Sequence, residues 1–204
     1  MRVKVGQVAP QFIAADLDGR PITLRRYYGQ HVLLSFSRAA VCPLCNVRMQ
    51  LLIERYPRYQ AQGLQVLAFF ESSPELARQY LTRLAAPFPL LPDLQGEVYD
   101  LYGLETSWLG TARGAMRRSV YREARRLQLG IWQRLRGFLA MDGRKFRMPA
   151  EFLIGPEQRI RLVHYGHDAG DFLLFSELEH YLARIPPLPP TYPRPAYPPA
   201  IERW

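Results

Sequence analysis

The sequence predicts an α/β fold in which a mixed central sheet is flanked by helices on both faces. From Val32 onward, strand-like and helix-like segments alternate twice and are followed by a β-hairpin pattern and a closing helix, an order that builds such a sheet. With 204 residues, of which 48% are hydrophobic, the chain can bury one core of ordinary size. We therefore predict one domain over residues 1–184 and a proline-rich C-terminal tail over residues 185–204.

The first part of the chain predicts an N-terminal β-hairpin. Residues 11–16 and 21–24 have the length of short strands, and the Asp18-Gly19 pair between them is a favoured hairpin turn. Residues 25–28 predict a single helical turn that ends at Gly29.

The central stretch combines a strand, a loop and two cysteines. Residues 32–36 form an apolar run that is typical of a strand buried on both faces. Cys42 and Cys45 follow after a short loop, and Pro43 suits the first position of a helix because its missing N–H is not needed there. Apolar residues then recur at helical spacing, which predicts a helix that runs to about Gln62.

The cysteine pair predicts redox chemistry. Cys42 would lie at the N-terminus of the helix, where free N–H groups and the helix dipole stabilise an anion. In such a setting the pKa of a cysteine falls from about 8.5 to roughly 3.5–7.5. Cys45 lies one helical turn further on, so it can close a disulfide with Cys42 without a metal or an organic cofactor. This interpretation requires that the two sulfurs lie close together and that a partner can reach them.

Two other interpretations of the cysteine pair stay open. A structural zinc site needs four ligands, and only His164 and His167 have a suitable spacing elsewhere in the chain. Alternatively, both cysteines are unreactive core residues. A Cys₂His₂ site assembled from such distant segments is uncommon, and unreactive core cysteines would not need the strand, the loop and the helix-starting proline. We therefore rank the redox dithiol first and expect no metal.

The remaining segments complete the predicted sheet through their apolar spacing and flanking turn residues. Strands are expected at residues 64–71, 151–155 and 159–165. Helix starts are expected at residues 73–75 and 168–171, and a short helix at residues 97–102. Residues 88–91 form a short proline-flanked segment to which we assign no element.

Several stretches of the chain together match a known pattern. They are residues 5–12, residues 17–20, Leu24, residues 28–29, the run up to Cys42-Pro43, and residues 149–155. They resemble the peroxiredoxin-like branch of the alkyl hydroperoxide reductase/thiol-specific antioxidant (AhpC/TSA) family, over roughly residues 3–102 and 148–184. The resemblance implies a thioredoxin-like fold with an added N-terminal hairpin, and an oxidoreductase.

The chain departs from peroxiredoxins around the first cysteine. Those proteins carry a proline seven residues before it and a threonine or serine three residues before it, and here these places hold Ser35 and Ala39. The hydroxyl that would orient a peroxide is therefore missing. Family members also place an arginine where this chain has Pro149, and a proline there resembles the cis-proline of thioredoxins. Pro149 and its neighbour Met148 are thus predicted to shape a groove for the partner.

Two arginines are candidates to replace the missing one. Arg38 precedes the cysteine pair, and Arg147 lies two residues before Pro149. Either guanidinium could stabilise a thiolate if it lay close to the sulfur. The alternative, that both are solvated surface arginines, stays open.

The stretch from Glu105 to Arg147 carries nearly all of the chain's net charge of +9, because it holds ten arginines and one lysine against three acidic residues. Apolar residues from Met116 to Phe138 recur at steps of four and three, which predicts a basic helical insertion at 105–147 with one apolar stripe. We expect the stripe to pack on its own domain or on a second copy in a homodimer. A cover over the dithiol, an anionic membrane and an acidic partner are the alternatives, and no base-reading motif suggests nucleic acid.

Three functions follow, in order of preference. The first is a thiol–disulfide oxidoreductase that acts on protein or small disulfides and is reduced by a thioredoxin- or glutathione-type donor. The second is a thiol peroxidase acting on hydroperoxides as an antioxidant. The third is a non-catalytic adaptor that binds partners through the basic helix and the tail, which we expect to be extended polyproline II. Because residues 1–6 lack a signal-peptide pattern and no apolar run could span a membrane, we expect a cytoplasmic protein.

Overall fold

The computed structural model describes residues 1–116 and 139–184 of the chain. In this part of the chain, five strands form one mixed sheet, two more form a separate hairpin, and helices cover both faces of the sheet. The predicted α/β fold class, with its mixed central sheet and N-terminal hairpin, is confirmed.

The elements are numbered in chain order. The strands are β1 (Ile13–Ala15), β2 (Pro21–Thr23), β3 (His31–Ser37), β4 (Leu64–Phe70), β5 (Leu90–Pro92), β6 (Ala150–Ile154) and β7 (Ile160–Tyr165). The α-helices are α1 (Pro43–Ala61), α2 (Pro74–Leu81), α3 (Glu97–Leu101), α4 (Trp108–Met116) and α5 (Phe175–Leu182). Two short 3-10 helices cover Leu24–Tyr27 and Thr82–Leu84.

The N-terminal hairpin forms where the sequence predicts it. β1 and β2 pair antiparallel, with Ile13 opposite Thr23. The carboxylate of Asp16, which follows β1, accepts hydrogen bonds from the backbone N–H groups of Asp18 and Arg20 and so stabilises the turn. Gly19 completes the turn with a φ of +80°, a conformation that other residues rarely adopt.

The main sheet has the strand order β5-β4-β3-β6-β7. β3, β4 and β5 are parallel, whereas β6 and β7 each run antiparallel to their neighbour. Because β6 runs against β3, the carboxyl end of β3 meets the amino end of β6, and Phe36 pairs with Ala150. The chain leaves Ser37 and approaches Pro149 at this same edge of the sheet, which is where the cysteines lie.

Each face of the sheet has its own apolar core. β3 is buried along its whole length, and its side chains alternate between the two cores as a strand requires. Helices α1, α2 and α5 pack on one face, and the N-terminal hairpin and α3 pack on the other. The second core is rich in aromatic rings, namely Phe36, Phe69, Tyr99, Tyr102 and Phe152. This burial on both faces explains the uninterrupted apolar run of β3.

The last helix begins later than predicted. Asp168 and Asp171 have the chemistry of helix starts, but their carboxylates instead accept the N–H groups of Gly170 and His167 within a loop. α5 begins only at Phe175. Residues 88–91, to which the sequence assigned no element, contribute the short edge strand β5, whose partner β4 supplies the pairing that the local pattern does not reveal.

Some predictions fall on residues that lie outside the described ranges. These are the apolar stripe as far as Phe138 and the tail over residues 185–204. Of the insertion predicted at 105–147, the structure describes both ends, where α4 begins at Trp108 and the chain returns from Leu139 to β6. Among residues 1–116 and 139–184, no helix is both long enough and apolar enough to span a membrane.

Candidate active site

The cysteine pair lies where β3 passes into α1. β3 ends at Ser37, a short loop follows, and Cys42 is the N-cap residue of α1 with an extended backbone. Pro43 occupies the first helical position, as predicted, and lacks the N–H that would have no partner there. Cys45 lies within the first turn of α1. The local sequence therefore places both sulfurs at the positive end of the helix dipole.

The two sulfurs are close together and unbonded. Both cysteines are free, and their side chains form a hydrogen bond with each other. The backbone N–H groups of Leu44 and Cys45 also lower the pKa of Cys42. Cys45 Sγ in turn accepts the backbone N–H of Arg38 at 3.3 Å. The first requirement of the redox interpretation, proximity of the sulfurs, is thus met.

The two thiols have opposite acidities. The hydrogen bond from Cys45 lowers the pKa of Cys42 to about 6, with further help from Arg38 and from the helix N–H groups, against the opposing effect of burial. Burial raises the pKa of Cys45 well above its usual value, and donation of its proton to Cys42 raises it further. At neutral pH, Cys42 is therefore a thiolate and Cys45 a thiol.

Arg38 is a buried cation beside the dithiol, with only 4% of its surface exposed. Its guanidinium donates to the carbonyl oxygens of Arg147 (2.9 Å) and Lys145 and to the hydroxyl of Thr111 (3.3 Å). These acceptors are neutral, and no ion pair of Arg38 is found within residues 1–116 and 139–184. Its charge lowers the pKa of both cysteines. The interpretation of Arg38 as a solvated surface residue is therefore wrong.

Arg147 is buried as well, but its charge is engaged elsewhere. Its guanidinium bonds both carboxylate oxygens of Glu71 at 3.0 and 3.2 Å, one oxygen of Asp100 at 2.9 Å, and the carbonyl of Leu104 at 2.8 Å. Only 1% of its surface is exposed. Both sequence-based interpretations of Arg147, as a solvated residue and as a substitute for the family's arginine, are therefore corrected: it is a structural ion-pair residue.

Met148 and Pro149 lie near the dithiol edge, and their predicted role in a partner groove stays a prediction. The Met148–Pro149 peptide bond is trans, so the likeness to a cis-proline is wrong. The N–H of Met148 donates to the carbonyl of Glu105 at 3.0 Å, and the carbonyl of Pro149 accepts from Gly166 at 2.8 Å. Both main-chain groups are therefore bonded within the protein, and both side chains are buried.

The dithiol is closed in this conformation. Cys42 is 2% exposed and Cys45 is fully buried. The second requirement of the redox interpretation, access for a partner, therefore demands that some part of the surrounding structure moves.

The two histidines considered for zinc are held by one carboxylate. His164 Nε2 lies 3.4 Å from one oxygen of Asp171, and His167 Nδ1 lies 3.2 Å from the other. Among the described residues, no group of three or more His, Cys, Asp or Glu side chains is arranged to hold a metal ion. The structure therefore does not support a Cys₂His₂ zinc site.

A buried polar network below the site escaped the sequence analysis. Glu151 is fully buried and bonds the guanidinium of Arg48 at 2.6 and 3.0 Å and the hydroxyl of Ser35 at 2.8 Å. Its second oxygen also accepts the N–H of Leu173 at 3.1 Å. One sequence signal could have found it: Arg48 falls on the inward stripe of α1, four residues before the buried Leu52.

Comparison with protein families gives one match that covers most of the chain. The model of the AhpC/TSA family matches residues 5–163. The thiol-disulfide oxidoreductase ResA of Geobacillus thermodenitrificans is 34% identical over 122 residues, which are 58% of this chain and 70% of that protein. ResA of Bacillus thuringiensis subsp. konkukian is 29% identical over 132 residues, or 63% of this chain and 76% of that protein.

Solved structures share the fold at lower identity. Peroxidoxin BcpB from Mycobacterium tuberculosis matches with a TM-score of 0.62 and 16% identity, covering 89% of this chain and 96% of that chain. A variant of peroxiredoxin 6 of Arenicola marina matches with a TM-score of 0.63 and 14% identity, covering 89% and 72%. At these identities, the likeness concerns the fold alone.

Proposed function

The chain belongs to the AhpC/TSA family, and we propose that it is a thiol–disulfide oxidoreductase that works through Cys42 and Cys45. The observation that carries this proposal is the unequal pair of thiols at the N-terminus of α1. In thiol–disulfide exchange, a thiolate attacks the substrate disulfide. A second thiol, which keeps its proton at first, then resolves the mixed disulfide. The two ResA relatives are named for the same activity.

The reaction exchanges one disulfide for another. The Cys42 thiolate attacks one sulfur of the substrate disulfide, the substrate S–S bond breaks, and the other sulfur leaves with the electron pair as a thiolate. The Cys45 thiol gives its proton to that leaving thiolate and, as a thiolate, attacks the sulfur of Cys42. The Cys42–Cys45 bond forms, the second substrate sulfur leaves as a thiolate that takes a proton from water, and two electrons have passed to the substrate.

The surroundings of the pair support this order of attack. Cys42 has the lowered pKa and the helix N–H groups, so it is the nucleophile at neutral pH. Cys45 is fully buried and its pKa is raised, so it stays protonated until the mixed disulfide needs resolving. The charge of Arg38 lowers the pKa of both thiols, so it stabilises whichever sulfur carries the negative charge.

A thiol peroxidase is the second candidate, and Arg38 is the observation that favours it. A buried guanidinium beside a thiolate can also stabilise the leaving oxygen of a hydroperoxide. Against it, Ala39 stands where peroxiredoxins have a hydroxyl, and Arg147 is bound to Glu71. The adaptor function fits less well, because it gives no reason for a thiolate at Cys42. An antioxidant role belongs to this second candidate.

Parallel assays separate these candidates. Purified protein, and its Cys42→Ser and Cys45→Ser variants, are tested for reduction of a protein disulfide and for consumption of hydrogen peroxide. We expect the wild type to reduce the disulfide, Cys42→Ser to be inactive, and Cys45→Ser to accumulate a mixed disulfide visible by mass spectrometry. Peroxide turnover without disulfide reduction would favour the peroxidase, and absence of both activities would contradict both enzymes.

The substrate class, the reductant, the location and the oligomeric state define the biological setting of the reaction. We propose protein disulfides as the substrate class, because the ResA relatives are named for thiol–disulfide exchange, and a thioredoxin- or glutathione-type reductant. Cytoplasmic location and homodimerisation remain predictions from the sequence. Cell fractionation tests the first, and analytical ultracentrifugation tests the second.

A further inference from the structure

A short segment at the start of the insertion pairs with the chain that leads into β6. We call residues 105–111 the strap. The N–H of Met148 donates to the carbonyl of Glu105 at 3.0 Å, and the N–H of Ser107 donates to the carbonyl of Phe146 at 2.7 Å. Thr106 lies opposite Arg147 in an antiparallel bridge. The strap therefore occupies the main-chain groups of residues 146–148 at the dithiol edge of the sheet.

The far end of the strap is attached to the dithiol through Arg38. Thr111 accepts a hydrogen bond from the Arg38 guanidinium at 3.3 Å, while its own hydroxyl donates to the carbonyl of Ser107 at 3.0 Å. The backbone of Arg38 in turn donates to the sulfur of Cys45. Arg38 therefore links the strap to Cys45, through its guanidinium on one side and its backbone N–H on the other.

In the middle of the strap, the backbone at Gly110 lies very close to the rest of the domain. A Cβ atom on Gly110 would lie 2.7 Å from the sulfur of Met148 and 2.7 Å from the carbonyl oxygen of His167. A glycine is thus required for this part of the strap to lie flat against the domain. The large side chains of the strap do not anchor it, since Trp108 is 65% exposed and Leu109 is also exposed.

These attachments are of a kind that opens without unfolding the domain. The strap is held by a few hydrogen bonds, an exposed ion pair between Arg2 and Glu105, and a glycine contact, whereas its two largest apolar side chains are exposed. Segments with little buried apolar surface and few hydrogen bonds open at a lower free energy than the core does. Cys42, at 2% exposure, needs such an opening before it can meet a protein substrate.

We propose that the strap is a displaceable cover of the dithiol, and that Cys42 reacts with a bulky partner only after residues 105–111 have left residues 146–148. The inference rests on the proposed function for its biological use. As a physical statement about access to Cys42, it stands apart from that function. The reactivity of the dithiol then depends on the size of the reagent. It also depends on whether the two ends of the insertion, residues 105–111 and residues 146–148, are paired.

Alkylation of Cys42 tests the cover. The reduced full-length protein is treated with iodoacetamide and, separately, with a polyethylene-glycol maleimide, and modification of Cys42 is followed by peptide mass spectrometry. At pH 8 the thiolate is formed in the wild type, so access limits the rates. For each reagent, the rate with Cys42 is divided by the rate of the same reagent with a small free thiol, which corrects for the reagent's own reactivity. The resulting iodoacetamide quotient and maleimide quotient are then compared.

Two variants loosen the strap, and a third is the matched control. Thr111→Val removes the hydrogen bond to Arg38, and Gly110→Ala forces the strap away from the His167 carbonyl. Thr106→Val makes the same chemical change as Thr111→Val at an exposed strap residue whose side chain makes no such bond. Hydrogen exchange at the amides of Ser107 and Met148 measures opening directly in every protein, the wild type included.

We expect the maleimide rate to rise roughly tenfold in Gly110→Ala and severalfold in Thr111→Val, as local opening becomes easier. The iodoacetamide rate should rise less, and Thr106→Val should leave both rates unchanged. In the wild type, the maleimide quotient should be far below the iodoacetamide quotient. The amides of Ser107 and Met148 should exchange faster than the amides of β3.

Two results would overturn the cover. The first is equal quotients for the small and the bulky reagent in the wild type. The second is faster hydrogen exchange at Ser107 and Met148 in the loosened variants without faster alkylation of Cys42. In that case the core, and not the strap, would close the site. If alkylation becomes faster in the loosened variants but neither the wild type nor any variant reduces a protein disulfide, the proposed function is contradicted and the cover is supported.

Discussion

Cys42 and Cys45 lie three residues apart in one helical turn, yet their surroundings stabilise opposite protonation states. Cys42 receives hydrogen bonds from the Cys45 thiol and from helix N–H groups, and these outweigh its burial. Cys45 receives one backbone N–H, from Arg38, and its burial dominates. At the scale of the residue, the sulfur that accepts the hydrogen bond between the two thiols is the nucleophile, and the sulfur that donates it stays protonated.

The pH dependence of Cys42 follows from its pKa. We expect the rate of iodoacetamide alkylation to fall as pH decreases, with a midpoint near pH 6, because only the thiolate reacts. Removing the guanidinium in Arg38→Met should move the midpoint upward by about one pH unit, since an opposite charge nearby lowers a thiol's pKa. Arg26→Met, at an exposed arginine of the N-terminal region, is the control and should leave the midpoint in place. An unchanged midpoint in Arg38→Met would show that Arg38 only supports the loop.

His31 should make the fold sensitive to acid. It is buried at the start of β3, its Nδ1 has no hydrogen-bond partner among residues 1–116 and 139–184, and burial lowers its pKa below the value of 6.5 that it has in water. The unfolded chain therefore binds the proton first, so stability is lost as pH falls below about 6.5.

A substitution isolates this contribution. In urea unfolding at pH 7.5 and pH 5.5, we expect His31→Phe to lose less stability on acidification than the wild type does. His180→Gln, at an exposed histidine of α5, should behave like the wild type. Equal losses in wild type and His31→Phe would mean that other groups cause the acid sensitivity.

At the scale of the element, α1 presents the dithiol at one end and is anchored one turn later by Arg48. The Arg48–Glu151 ion pair joins α1 to β6, and the hydroxyl of Ser35 joins both to β3. Arg48 also donates to the carbonyl of Leu173, just before α5. The three elements α1, β3 and β6 and the loop before α5 therefore meet at one buried charge pair, which holds α1 in place over the sheet.

Breaking this pair should be severe. Glu151→Ala leaves the Arg48 guanidinium buried without a counter-ion, and we expect a loss of about 3–5 kcal/mol in the free energy of unfolding. The exposed pair of Glu157 and Arg161 gives the comparison, since Glu157→Ala should cost only about 0–1 kcal/mol. Urea denaturation of both variants measures the difference. Similar small losses would mean that Arg48 finds water or another acceptor.

At the scale of the whole molecule, the redox state, the acidity of the site and stability are linked. The reduced protein holds Cys42 with a pKa near 6, whereas the same thiol in the unfolded chain has a value near 9. Folding therefore favours the thiolate. This contribution is fully present above pH 9 and is lost as pH falls through 6.

A comparison of stabilities checks this linkage. Between pH 5.5 and pH 8, we expect the reduced wild type to gain about 2–3 kcal/mol of unfolding free energy relative to reduced Cys42→Ser. The same comparison with the Cys42–Cys45 disulfide closed should show no such gain, because no thiolate forms. A pH-independent difference between the reduced proteins would contradict a thiolate stabilised by the fold.

The sequence by itself determined the strand–loop–helix unit that carries the dithiol. The apolar run of β3, the helix-starting Pro43 and the spacing of Cys42 and Cys45 act over a few neighbouring residues, so their outcome is readable from local pattern. The hairpin turn at Gly19 and the helix start at Ser73, whose side chain accepts from the N–H of Leu76, are predictable for the same reason.

Only the tertiary structure decided which charges are buried and what closes the site. Arg147 meets Glu71 across 76 residues of sequence, and Arg48 meets Glu151 across 103. Arginines of this kind read as solvated in the sequence, because burial of a charge becomes acceptable only once a distant partner is in place. The pairing of the strap with residues 146–148 has the same origin, because it depends on long-range contacts that local spacing does not encode.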